Sequence, residues 1–166
     1  MISRGVGWLP VSGSPVGLVT WYAPAGPVAV LASWLAVVDG VPPELRAGCS
    51  GRIPAGSDLT ADGAFAVNIP AAPGSPELAA LVARAASAPV VIRTEAELVP
   101  ARSVSAPLLK GCALQIECSR GRIVPGEWEP ELAGDIVLLH RGGLILDPAG
   151  YPDFCALRPL RPIFPS

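Results

Sequence analysis

Gly26-Pro27-Val28-Ala29-Val30-Leu31-Ala32-Ser33-Trp34 is the stretch whose reading decides the fold. The run from Val28 to Trp34 is too short and too β-branched for a helix. Turn signals bracket it, with Gly26-Pro27 before and Asp39-Gly40 and Pro42-Pro43 after. It reads as a buried strand that delivers Ser33 and Trp34 to a rim. Working outward, Leu35 to Gly40 and Val41-Pro42-Pro43 lead to a short strand, Glu44 to Cys49. A loop of small residues around Arg52 then leads to the apolar segment Phe65-Ala66-Val67-Asn68-Ile69-Pro70. The unit from Gly26 to Asn68 is therefore strand, turn, strand, polar loop, strand.

On the N-terminal side, Pro15 to Tyr22 is expected to be a strand that turns at Pro24 to Pro27 into the run above, giving a hairpin. On the C-terminal side, Ser57-Asp58 offers an N-cap for a brief helical turn that Gly63 would stop. Ser75 to Ser87 is the clearest helix: Ser75 suits the cap, Pro76 the first helical position and Glu77 the positive end of the dipole. Leu78, Leu81, Val82 and Ala85 share one face. Val90 to Ile92 suggests a short strand, and Arg93 to Ala106, mixing charge, Pro and Ser, reads as a loop. From Leu108 the sheet resumes. Leu114, Ile116 and Cys118 fall on one parity and Gln115 and Glu117 on the other, Ser119 to Arg122 continues or twists that strand, and Pro125-Gly126 turns it. Ile136 to His140 is a strand, Gly142-Gly143 a tight turn and Leu144 to Leu146 its partner.

With 166 residues, one domain is expected, large enough for a core without disulfide support. Hydrophobic residues make up 51% and charged residues only 16%, and the mean hydropathy is +0.48. That excess of apolar residues points to an extensive subunit interface. Membrane spans need about 18 or more consecutive apolar residues, and Pro and Gly interrupt every candidate. Met1 to Pro10 has no continuous apolar region or small-residue cleavage site, so the expected compartment is the cytoplasm. A net charge of -2 leaves no basic footprint for nucleic acid. Cys49, Cys112, Cys118 and Cys155 make no Cys-x-x-Cys pair and His140 is the sole histidine, so no metal site is expected and the cysteines read as buried thiols.

Taken in order, Ala32-Ser33-Trp34, Pro42-Pro43, Ser50-Gly51-Arg52 with Ser57, and Phe65-Ala66-Val67-Asn68-Ile69-Pro70 resemble the flavin reductase-like, FMN-binding split-barrel family. The likeness extends more weakly from about Pro15 to about Asp147. It implies a mainly β fold, a split β-barrel with a few helices, as a single domain over 1–166 with a core at about 15–147 and a divergent tail at 148–166. It also implies a homodimer with flavin sites at the subunit interface, and a region from Arg93 to Ala106 lying over flavin or substrate. The implied chemistry is hydride or electron transfer through FMN, with NAD(P)H bound transiently or a redox protein as donor. The cofactor supplies the redox centre and the protein positions it, which explains the absence of a Ser-His-Asp constellation.

The residues implied for FMN are Ala32 and Trp34 beside the ring, Ser33, Ser50, Arg52 and Ser57 at the phosphate, and Asn68; no catalytic residue is assigned. Each has a plainer reading. Ser33 suits a sheet-edge hydroxyl, Trp34 a core residue, Arg52 a solvated charge, Asn68 a turn before Pro70, and His140 a locally satisfied strand residue. Two departures bear on the cofactor. The chain ends Leu157-Arg158-Pro159-Leu160-Arg161-Pro162-Ile163-Phe164 where relatives carry a Leu-Gly-Gly-x-x-Tyr-like segment. It also has Ile53-Pro54-Ala55-Gly56-Ser57 where they place Thr-His or Thr-x-x-Asn. Three functions therefore follow: a flavin reductase-like oxidoreductase, a non-catalytic FMN electron carrier of flavoredoxin type, and a split-barrel dimer that has lost FMN and keeps a structural or binding role.

Overall fold

The computed structural model describes residues 6–8, 17–49, 63–70, 76–92, 98–127 and 129–141. Along the chain these form β1 (Val6–Trp8), β2 (Gly17–Ala23), β3 (Gly26–Ala32), β4 (Trp34–Val38), β5 (Glu44–Gly48) and β6 (Phe65–Pro70). The helix α1 (Pro76–Ala85) follows, then β7 (Val90–Val91), β8 (Leu98–Pro100), β9 (Pro107–Leu109), β10 (Cys112–Val124) and β11 (Glu131–Arg141). One nine-stranded sheet runs β1-β4-β5-β11-β10-β6-β2-β3-β7, and β8 pairs with β9 apart from it. All pairings are antiparallel.

The hairpin of β2 and β3 forms where Pro24 to Pro27 signals it, closing from Ala23 to Gly26. Gly26 has φ 118, which a residue with a Cβ rarely adopts. In β3 both faces are buried. Val28, Val30 and Ala32 enter the barrel interior, while Ala29 and Leu31 face α1. That two-sided burial is why the run is continuously apolar instead of alternating. β6 behaves alike, with Phe65, Val67 and Ile69 inside and Ala66 and Asn68 outside.

One expectation fails at the end of β3. Leu35 to Gly40 was expected as part of a turn, but the chain bends at a single residue, Ser33, and resumes at once as β4. This bend carries the chain from one half of the sheet to the other, and the sheet curls until the halves touch. A Cβ on Gly17 of β2 would stand 2.7 Å from Cδ1 of Leu35 in β4. The closed interior draws on both halves, with Val30, Leu45, Phe65, Ile116 and Leu132 among its members. The Phe65 ring fits where Gly121 and Gly134 lack side chains, a Cβ on Gly121 falling 2.9 Å from the ring.

Outside the barrel, α1 seals the sheet with Leu78, Leu81, Val82 and Ala85, the stripe expected from the sequence. β10 and β11 are longer than expected, 13 and 11 residues, and their ladder slips between Ser119 and Arg122. Arg120 sits there with φ 53. The 93–106 region, expected as a loop, contributes β8 to a hairpin. Cys49, Cys112 and Cys118 are buried, and burial pushes the Cys118 thiol well up. The expected helical turn at Ser57 to Asp62, the Leu144 to Leu146 strand, Cys155 and the tail lie outside the described residues. Among the described residues, no helix is long and apolar enough to cross a membrane.

Candidate functional site

The rim around Ser33 is built by the strand change. Trp34 opens β4 opposite Gly48, the last residue of β5. Ser33 N–H donates to the Gly48 carbonyl at 2.6 Å, which ties the bend to the neighbouring strand. The Trp34 indole lies directly on Gly48, where any Cβ would collide with its Nε1 edge. Trp34 is half-buried and Ser33 exposed, whereas Ala32 and Cys49 are buried at the top of the barrel interior. The rim thus presents an aromatic surface beside an exposed bend. From Cys49 the chain proceeds to Ser50, Arg52 and Ser57, which lie outside the described residues.

Arg46, one turn of the pleat below Gly48, is not a spare cation. Its Nε meets Glu44 Oε1 at 2.6 Å and its Nη1 meets Glu131 Oε2 at 3.2 Å. Arg122 from β10 pairs with the other oxygen of Glu44. Burial pushes the Glu44 carboxyl up, but the hydrogen bond and charge of Arg46, with those of Arg122, outweigh it and hold the pKa below its ordinary value. Glu44 and Glu131 raise that of Arg46 in turn.

Asn68 sits elsewhere, fully buried on the outer face of the sheet. Its Nδ2 donates to the Leu18 carbonyl at 3.3 Å and to Thr20 Oγ1 at 2.9 Å. Its Oδ1 accepts from Leu109 N–H at 2.8 Å and Gln115 Nε2 at 3.1 Å. Two donors and two acceptor positions are the whole capacity of the amide, so Asn68 serves to dock β9 on the sheet. Thr20 Oγ1 donates to the Pro107 carbonyl at 2.6 Å and Gln115 Nε2 to the Leu109 carbonyl at 2.7 Å. Ladder pairing places Leu18, Asn68, Gln115 and His140 in one row, with Thr20, Ala66 and Glu117 in the next.

Glu117 completes this polar face and was not singled out from the sequence. Its side chain is 0% exposed. Oε1 accepts from Arg102 N–H at 2.7 Å and faces His140 Nε2 at 2.5 Å, and Oε2 accepts from Ser103 N–H at 2.7 Å. Burial alone would push its pKa up, but the Arg102 N–H, the His140 imidazole and the Ser103 N–H together bring it below the ordinary carboxylate value. An ionised carboxylate only accepts, so Nε2 of His140 carries the proton. The signal in the sequence is the polar parity of Gln115 and Glu117 within a strand whose neighbours are buried. Among the described residues, no three His, Cys, Asp or Glu side chains gather as a metal site.

No protein-family model matches the sequence, and no curated protein matches it. Solved structures do match in fold. Flavoredoxin from Methanosarcina acetivorans superposes with a TM-score of 0.63 at 19% identity, covering 90% of this chain and 80% of that one. Component B of nitrilotriacetate monooxygenase from Bacillus cereus gives 0.64 at 22% identity over 90% and 79%. The NADH:FAD oxidoreductase of Streptomyces globisporus gives 0.60 at 23% identity over 78% and 75%. The chain has the split-barrel fold of these structures, as the resemblance implied.

Proposed function

We propose that this chain binds FMN at the Ser33–Trp34 rim and works as a flavin-dependent oxidoreductase. The observation that carries the reading is the rim itself. An exposed bend stands beside a half-buried indole packed against a glycine, on a fold shared with a flavoredoxin and an NADH:FAD oxidoreductase. When bound, FMN supplies the redox chemistry. The chain's part is to hold the ring beside Ala32 and Trp34 and the phosphate with Ser33, Ser50, Arg52 and Ser57, while NAD(P)H or a redox protein approaches the open side. Arg46, on the strand before Arg52, is not part of this phosphate site, since two carboxylates already hold it. Asn68 contributes by position only, keeping β6 and β9 in place.

The working unit in this reading is a homodimer in the cytoplasm. Exposed apolar residues support the dimer. β5 covers β11 only as far as Asp135, and beyond it Val137 and Leu139 are 46% and 49% exposed, with Val41 fully exposed in the β4–β5 turn.

Titration with FMN followed by absorption tests the proposal, with NADH oxidation measured on the same sample. A yellow protein that oxidises NADH is expected; a yellow protein without that activity makes it a carrier. Protein that stays colourless with added FMN overturns the reading. Arg52→Ala is expected to weaken FMN binding roughly tenfold or more, the loss of one charge-assisted contact. Light scattering is expected to give twice the 17.0 kDa chain mass.

A further inference from the structure

We propose that the hairpin tip at residues 101–106 opens and closes as a gate on the sheet, hinged at Pro100 and Pro107, with Glu117 and His140 as its catch. The hinge follows from the sequence. Pro100 and Pro107 face each other at the end of the β8–β9 ladder; neither brings an N–H, and beyond them the Ala101 N–H donates to the Ala106 carbonyl at 3.0 Å, closing the tip on itself and not on the sheet.

Root and tip are attached by different means. At the root, Leu109 is 0% exposed and packs in the α1 cluster. Its N–H and carbonyl are both taken by sheet side chains, Asn68 and Gln115. At the tip, Arg102, Ser103 and Ser105 are exposed, and the apolar contact is a small cluster of Ala66, Ala106 and Leu108 with the edges of Ala101 and Val104. Segments with few buried apolar contacts open at low free energy. What holds the tip to the sheet is therefore the Glu117 carboxylate, which takes the N–H groups of Arg102 and Ser103.

The catch works only while Glu117 is charged. A protonated carboxyl would have to donate, and one of its three donors would be left facing a proton. The groups that bear on it are few. His140 faces it from β11, and the tip offers backbone N–H groups while the Arg102 side chain is exposed. Gln115 on β10 and Asn68 on β6 do not ionise, and Asp135 on β11 is engaged by Arg120. Because its pKa lies below the ordinary value, the catch is closed at neutral pH and releases as pH falls through that lowered value. Opening uncovers Glu117 and His140, whose Nδ1 has no partner among the described residues.

Amide hydrogen exchange, read residue by residue on the full chain, tests this without reference to flavin. In the wild type, Arg102 and Ser103 are expected to exchange faster than Leu109. Glu117→Gln is expected to speed both by on the order of tenfold or more while leaving Leu109 unchanged, and His140→Gln to do so less. Equal rates at 102, 103 and 109 in wild type and Glu117→Gln would overturn the gate. Should Glu117→Gln fail to fold, a wild-type pH series decides. With intrinsic rates removed, protection at Arg102 and Ser103 must fall on acidification before that of Leu109, and simultaneous loss overturns the proposal.

Discussion

The two faces of β6 and β10 are held by opposite means. On the inner face Phe65, Val67 and Ile116 meet only apolar partners, and fit decides: the Phe65 ring occupies space that Gly121 and Gly134 leave clear. On the outer face of the same strands, Asn68, Gln115 and Glu117 meet backbone N–H and carbonyl groups, and hydrogen-bond capacity decides. Shape complementarity fixes the barrel as a whole, because a core of this density tolerates little change of volume. Hydrogen bonding fixes one segment at one height above it, because a buried polar atom without its partner is costly.

The comparison breaks most visibly at Phe65. Phe65→Ala leaves a void between Gly121 and Gly134 and is expected to lower unfolding free energy by about 3 to 5 kcal/mol in urea titration. A loss as small as that of an outer-face residue would mean the two faces contribute alike. Asn68→Ala on the other face should cost less, about 2 to 3 kcal/mol, since it orphans the Leu109 N–H and part of Gln115. Its signature is local, with exchange at Leu109 rising more than in the barrel; an effect on FMN binding without that change would instead make Asn68 a ligand.

Acid sharpens the contrast. Glu117 and Glu44 are held below the ordinary carboxyl value of 4.5. Their stabilisation is thus complete above that value and drains away as pH falls through the lowered ones. Urea midpoints measured from pH 6 down to about 3 should decline, and less steeply in Glu117→Gln; parallel declines would place the acid sensitivity elsewhere. The smallest effect is expected at Arg46→Met. Its side chain is 32% exposed, so its two ion pairs are screened and their loss should cost no more than about 1 kcal/mol, read from the same titrations.

Much of the barrel was legible because period and burial agree. The 3.6 spacing of Leu78, Leu81, Val82 and Ala85 can face the sheet in only one way, and the runs in β3 and β6 are apolar on both parities. β4 was missed because its turn is one residue, Ser33, with no Gly or Pro in it. The outer face was hidden for a different reason. Gln115 and Glu117 look like solvent-facing strand positions until β8 and β9 are laid over them, and the segment that covers them had no periodicity to announce it. At the rim, Ser33 and Trp34 do meet at the strand change and beside Gly48, while the pairing of Arg46 with Glu131 joins residues 85 apart and no local pattern foretells it.

The strand order also sets a timetable for synthesis. β10 and β11 are the last described strands to be made, yet they sit in the middle of the sheet, between β5 and β6. While the ribosome is still extending the first two thirds of the chain, β5 has only β4 beside it and β6 only β2. Each shows a bare edge whose N–H and carbonyl groups are ready to pair with another chain. The β10–β11 hairpin is thus a keystone: when it slots in, two open edges vanish in a single event, and the nascent molecule passes from an aggregation-prone pair of half-sheets to a closed barrel.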